Sequence, residues 1–187
     1  MITSKDSIPF RYRMASLRDF SGIEEVIEWA SHPFDSLFIH GTCGNGKTHL
    51  LYALVRELHK GYRCDVVSAV DINMRLRATF GNDSEEKEQS IIREYTRGKL
   101  TEIKDYSDCW DYLPMFDDLG AHKVSDYARE VWYEIIDKRY RNIMPAVYTS
   151  NLRLNEIAEV MGDRIASRLA GGVVFELKGD DRRVAKK

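Results

Sequence analysis

Short apolar runs and amphipathic stretches alternate along the chain from residue 21 to residue 177. The runs predict strands over Ser36–His40, Arg63–Ser68, Tyr112–Phe116, Pro145–Thr149 and Val173–Leu177. Between them, hydrophobic residues recur at three- and four-residue spacing and predict helices. The first, capped by Ser21 or Ser16, runs to about Ala30 with Ile23, Val26, Ile27 and Ala30 in phase, and Pro33 closes it. The second runs from Lys47 to Lys60 with Leu50, Leu51, Leu54 and Leu58 on its buried side, and Gly61 stands just past its end. Asp71–Phe80 and residues 90–97 read as shorter helices around a polar stretch, Gly81–Gln89. Ser125 or Asp126 caps a long helix to Arg141, whose stripe of Ala128, Val131, Trp132 and Ile135 makes Trp132 a core residue. Two further helices, Leu154–Met161 and Arg164–Ala170, precede Gly171-Gly172 and the last strand.

Strands that alternate with helices imply a mostly parallel sheet covered on both faces, an α/β fold whose ligands gather at the carboxyl ends of the strands. Pro114 fits this badly, because a proline inside a strand removes a ladder donor; the third strand either begins after it or bulges there.

Composition narrows the class. The 187 residues, 43% hydrophobic and 31% charged, suit one globular domain with a sizeable core. A net charge of −2 gives no global attraction to nucleic acid or anionic membrane, so any DNA contact requires a local basic patch. No apolar run reaches membrane-spanning length, the start is too polar for a signal peptide, and Cys43, Cys64 and Cys109 lack metal-type spacing. A cytoplasmic protein with reduced thiols is expected.

The chemistry lies in the turns that follow the strands. Gly41, Gly46, Lys47 and Thr48 fit the pattern G-x-x-x-x-G-K-[ST] between an apolar strand and a helical run. Glycines let the backbone curl so that N–H groups converge on a polyphosphate, and the helix N-terminus adds positive potential. Lys47 would neutralise the β- and γ-phosphates and Thr48 would help hold Mg²⁺, with Gly41, Thr42, Cys43, Gly44, Asn45, Gly46 and His49 completing the cradle.

Two acids directly after the third strand supply a second half: Asp117 for the Mg²⁺ shell and Asp118 as base toward the attacking water. Asn151, after the fourth strand, either contacts the γ-phosphate or is an ordinary turn residue. Arg164 and Arg168 share one helix face, either as solvated charges or as arginines offered to a neighbouring subunit's nucleotide.

Taken together the motifs resemble a family. Ile8-Pro-Phe-Arg-Tyr-Arg-Met-Ala-Ser-Leu-Arg-Asp-Phe20 is similar to the lead-in of DnaC-type helicase loaders and IstB-type transposition ATPases. Gly41-Thr-Cys-Gly-Asn-Gly-Lys-Thr-His-Leu50, Phe116-Asp-Asp-Leu-Gly120, Tyr148-Thr-Ser-Asn-Leu152 and Asp163-Arg-Ile-Ala-Ser-Arg-Leu169 extend the resemblance over nearly the whole chain. These are AAA+ ATPases related to the DnaA initiator. The resemblance implies a three-layer P-loop domain with a five-stranded sheet and no substantial C-terminal lid. It also implies an extended lead-in over residues 1–20 that contributes to the nucleotide site, and the ATPase domain proper over 21–187. ATP or ADP with Mg²⁺ is the implied cofactor. Asn151 takes the sensor-1 position, Arg168 the arginine finger acting in trans with Arg164 nearby, and Arg183 the cis sensor-2 position, although Asp180-Asp181 before it departs from the family's usual pair.

The implied activity is slow ATP hydrolysis stimulated by head-to-tail assembly into a ring or filament with single-stranded DNA. Asp118, where many AAA+ proteins carry Glu, fits a switch better than a fast motor. Arg75, Arg77, Arg93, Arg97 and Lys99 are the candidate DNA contacts, ordinary surface charge being the competing reading. Loaders carry an N-terminal domain that grips the replicative helicase, whereas this chain begins almost at the ATPase core. A replicative helicase or a transposase is the implied partner, and a P-loop small-molecule kinase is the alternative from another class.

Overall fold

The computed structural model describes residues 8–79, 88–96, 112–121 and 124–182. The five apolar runs form one sheet in the order β2-β3-β4-β1-β5, with every adjacent pair parallel. The strands are β1 (Leu37–His40), β2 (Arg63–Ser68), β3 (Tyr112–Asp117), β4 (Val147–Ser150) and β5 (Val173–Glu176). Helix α1 (Glu24–Ser31) precedes β1, and the crossovers that parallel pairing requires are supplied by α2 (Lys47–Leu58), α3 (Ala69–Ala78), α4 (Glu88–Tyr95), α5 (Asp126–Arg141), α6 (Leu154–Met161) and α7 (Asp163–Ala170).

Because strand side chains alternate between faces, the sheet divides the core in two. Leu37 and Ile39 face a layer with Leu50, Leu51, Leu54, Val26 and Trp29, while Phe38 between them joins Ile72, Ile91, Trp132 and Leu169 on the other side. Phe116 carries this second layer, stacked on Tyr148 at 5.2 Å and edge-on to Trp132 at 5.2 Å.

Several boundaries differ from the sequence expectation. Neither Ser16 nor Ser21 caps α1: its N-cap is Ile23, and Ser16 instead forms a capping box with Asp19 around the short 3₁₀ turn Leu17–Asp19. The described part of the lead-in, residues 8–20, therefore contains two tight turns, the other being Phe10–Tyr12, rather than running extended. Ile27 is exposed, since Val26, Trp29 and Ala30 form the buried stripe of α1. Ser68 accepts from the backbone N–H of Val70 and starts α3 before Asp71. β4 begins at Val147, after Pro145. The third strand does run through Pro114. It pairs with β2 from Tyr112 onward, but with β4 only from Met115, so at Pro114 the strand has a neighbour on one flank alone.

Among the described residues, one arginine is buried in this frame. Arg139 of α5 donates to the carbonyl oxygens of Tyr95, Tyr112 and Pro145, tying the end of α4 to the starts of β3 and β4. Burial pushes its guanidinium down to about 10. Arg139→Ala would leave three carbonyls without their donor and is expected to cost about 3 kcal/mol in urea unfolding; an unchanged midpoint would show that they are satisfied otherwise.

Candidate active site

The turn between β1 and α2 wraps around its own lysine. Gly44 and Gly46 hold φ of 83° and 105°, in the region glycine reaches without strain, and Gly46 is the N-cap of α2. A Cβ on Gly44 would collide with the Asp181 carboxylate, which lies against the loop here. Lys47 is 5% exposed and donates through Nζ to Gly41 O and Thr42 O, both at 2.8 Å, and to Asn45 Oδ1 at 3.2 Å. Asn45 is anchored in turn to Leu177 O at 2.5 Å, which fixes the loop to the end of β5.

β3 and β4 bring the acids to this loop. Asp117 accepts from Thr48 Oγ1 at 2.8 Å on one oxygen and from Thr149 Oγ1 at 2.6 Å on the other. Burial raises its pKa, opposed by the two hydroxyl bonds and by Lys47, with Asp118 adding to the rise. The backbone then turns: Asp118 sits at φ 58°, a left-handed conformation uncommon outside glycine, held by its N–H on Thr149 Oγ1 at 3.1 Å and by Leu119 N–H on Thr149 O at 2.8 Å. This strained turn points the chain so that Asp118 lines a cavity of about 200 Å³ together with Lys47, Thr48 and Asn151. Ser150, just before Asn151, is locked by donating to Leu119 O at 2.6 Å.

The rim of that cavity includes lead-in residues of the quoted motif, and Arg182, which no motif named. Arg11 and Tyr12 of the lead-in line it with Cys43, Gly44, Gly46, His49 and Arg182. His49 meets Asp19 at 2.7 Å, and the Arg182 guanidinium lies 4.1 Å from the Phe20 ring centroid and donates to Asp19 O at 2.9 Å. The Arg182 N–H also donates to Gly44 O at 3.1 Å. Lead-in and C-terminal residues thus close on one another across the glycine loop. Arg183 lies outside the described residues; its neighbour Arg182 lines the cavity.

Arg168 and Arg164 are elsewhere. They share one face of α7, as their spacing predicts, and that face lies along α5: the Arg168 guanidinium is 4.9 Å from the Tyr140 ring centroid and the Arg164 guanidinium 5.8 Å from that of Tyr133. Arg168 lines a separate cavity with Ser36, Pro145, Gly171 and Gly172, residues that precede β1, β4 and β5, at the end of the sheet opposite the glycine loop. Of the candidate DNA contacts, Arg75 is engaged internally, donating to Tyr95 Oη and Glu94 Oε2 at 2.6 Å each. Arg77 and Arg93 are exposed, and Arg97 and Lys99 lie outside the described residues.

The donor set suits a triphosphate with a divalent cation. Thr48 and Asp117 offer two hard oxygen ligands 2.8 Å apart, and Lys47 stands beside a helix N-terminus whose N–H groups line the loop. A parallel sheet in this strand order, with a phosphate-type loop after β1, two acids at the end of β3 and an amide after β4, defines a P-loop nucleotide-binding domain of the AAA+ type. The chain belongs to the family of IstB-like ATP binding proteins, whose model matches residues 26–174.

Comparison with individual proteins places it near replication factors. It is 26% identical over 157 residues to the replicative helicase loader DnaC of Escherichia coli K12, covering 81% of this chain and 58% of the loader. It is 25% identical over 161 residues to the chromosomal replication initiator protein DnaA of Aquifex aeolicus, covering 86% of this chain and 36% of the initiator. Thus the chain spans little more than half the length of the curated loader. Among solved structures, the crystal structure of the DnaC helicase loader superposes with a TM-score of 0.72 at 21% identity, over 91% of this chain and 100% of that one. DnaA bound to AMPPCP and single-stranded DNA superposes with a TM-score of 0.70 at 22% identity, over 94% and 52%. No helix among the described residues is long and apolar enough to cross a membrane.

The raised pKa of Asp117 makes a test. Its proton favours the fold below pH 3.8, and that gain is lost as pH climbs through the raised value, so the ionised carboxylate is a cost at neutral pH. Asp117→Asn, in the protein without nucleotide, is therefore expected to unfold at the same temperature or a few degrees higher, since about 1 kcal/mol corresponds to roughly 2–4 °C at this size. A midpoint lowered by more than about 4 °C would show that the ionised group holds these segments together.

Proposed function

We propose that this chain is an ATP-driven molecular switch of DNA replication: a helicase-loader-like AAA+ ATPase that hydrolyses slowly and assembles head-to-tail with single-stranded DNA. The observation that carries this is the position of the two acids. Asp117 and Asp118 stand at the loop that holds Lys47, one acid tied to Thr48 and the other lining the same cavity as Asn151.

In this reading Lys47 exchanges the carbonyls of Gly41 and Thr42 for phosphate oxygens, which compete well because they are charged. Mg²⁺, when bound, neutralises charge developing on the triphosphate, and Thr48 and Asp117 are the residues that would hold it. Asp118 accepts the proton of the attacking water, and Asn151 orients that water or the γ-phosphate. The lead-in, residues 1–20, closes the nucleotide side of the cavity through Arg11 and Tyr12, and Arg182 contributes a cationic contact from the same chain, the role that the family resemblance gave to Arg183. Residues 21–187 form the ATPase domain.

Arg168 supports a site shared between copies. It lies at the amino ends of the strands and cannot reach its own glycine loop, so its counterpart would be the nucleotide of a neighbour, to which it brings charge as the transition state forms. A surface patch at one end that meets a different patch at the other generates a ring or a filament. Arg77 and Arg93 are the exposed described residues best placed by sequence for single-stranded DNA. The likeness to the replicative helicase loader DnaC and to DnaA bound to AMPPCP and single-stranded DNA supports the replication setting and a replicative helicase as partner.

The test is phosphate release without any added acceptor, with particle size measured with and without ATP and single-stranded DNA. The wild type should hydrolyse ATP at well under one turnover per second and grow in size when both are present. Asp118→Asn should bind nucleotide and lose about a hundredfold or more in turnover, while Lys47→Ala should not bind. Turnover of tens per second, or release that requires a second phosphate acceptor, would contradict the proposal.

A further inference from the structure

We infer that Asp137 is the residue that positions Arg168 for the neighbouring nucleotide, with the ring of Tyr140 as its platform; this rests on the trans reading of Arg168 above. Asp137 lies in the penultimate turn of α5 and is only 5% exposed. An acid near a helix C-terminus opposes the helix dipole, and a buried carboxylate costs desolvation, so the position is unfavourable unless something holds the charge. Two arginines do. Arg168 donates from Nε to Oδ1 at 2.9 Å, and Arg141 forms an ion pair with Oδ2, its Nε 2.8 Å away.

The manner of binding matters more than the pairing. A carboxylate that simply neutralised Arg168 could engage the fork in a bidentate way and occupy its outer nitrogens. Here only Nε is engaged: no hydrogen bond links either Nη of Arg168 to another described residue, and the side chain remains about one-third exposed. Its planar face lies on Tyr140, 4.9 Å from the ring centroid. Gly171 allows this approach, since a Cβ there would come within 2.7 Å of the Tyr140 ring.

An arginine held by Nε and by one face has already lost most of its rotamer freedom, while both Nη groups stay available in the geometry that suits a phosphate. The cavity of about 310 Å³ that it lines is the place where a neighbour's ligand could meet it. The hydrogen bond to Asp137 also raises the Arg168 pKa, so the guanidinium keeps its charge. A mere clamp between α5 and α7 would move stability and leave turnover alone, which separates the two roles.

The experiment compares kcat, KM, fluorescent-ATP-analogue affinity and thermal midpoint for Asp137→Asn, Tyr140→Leu, Arg168→Ala and the Asp137→Asn/Arg168→Ala double variant, in the full chain with ATP and single-stranded DNA. Asp137→Asn is expected to lower kcat about tenfold or more with nucleotide affinity within about twofold of wild type, and the double variant to be no slower than Arg168→Ala alone. Tyr140→Leu, at a half-exposed position, should lower kcat with an unchanged midpoint even if Asp137→Asn proves unstable. Loss of turnover in Arg168→Ala with full turnover in both Asp137→Asn and Tyr140→Leu would overturn this inference alone. Additive losses in the double variant would overturn it equally. Full turnover in Arg168→Ala itself would instead overturn the trans reading beneath it.

Discussion

One carboxylate joins the three segments on which the site depends. Asp117 ends β3, and its two oxygens are divided between Thr48 at the start of α2 and Thr149 in β4. Through Thr149 the same contact governs the next residue, because the Thr149 hydroxyl and carbonyl accept from the backbone of Asp118 and Leu119 and hold Asp118 in its left-handed turn. The glycine loop, the putting of Asp118 into the cavity and the placement of Asn151 just beyond β4 are therefore linked. A shielded acid is a costly way to join strands, and hydrophobic residues would do it more cheaply. Its retention is understandable if the carboxylate must be ready to exchange a hydroxyl for a metal.

The chain's polarity follows from the same sheet. Every strand runs in one direction, so the turns after the strands collect the loop, the acids and the amide at one end, and the last turn of α7 with Gly171 and Gly172 places Arg168 at the other. An arginine at the amino ends cannot reach the site at the carboxyl ends of its own chain. In the proposed assembly each molecule offers one half-site at each end, and this makes hydrolysis depend on having a neighbour. The Asp137 anchor then keeps the outgoing half-site ordered before a neighbour arrives.

Much of this was legible because it is local chemistry. The glycine loop, the acid pair and the five strands are announced by contiguous residues, and the apolar stripe of α5 places Trp132 in the core, where it is fully buried. What was not legible depends on partners distant in sequence. Ser16 is the exception, since Asp19 three residues on completes a capping box and marks a turn of the lead-in rather than the start of α1. Pro114 is an anomaly until β4 is known to join β3 only at Met115. Arg182 carries no signal of its own in the sequence, and its backbone bond to Gly44 is what brings it to the cavity. Asp137 reads as one more polar residue on a helix, and its burial is set by the packing of α7.

The central claim is that each site is built from two copies. It is tested most directly by mixing two variants that fail for different reasons: Lys47→Ala, which keeps Arg168 but has no working loop, and Arg168→Ala, which keeps its loop but offers no finger. Each alone should be inactive with ATP and single-stranded DNA. Mixed in equal amounts they should recover phosphate release, because a Lys47→Ala copy can complete the site of an Arg168→Ala neighbour. A mixture that co-assembles and stays as inactive as its components would contradict the account.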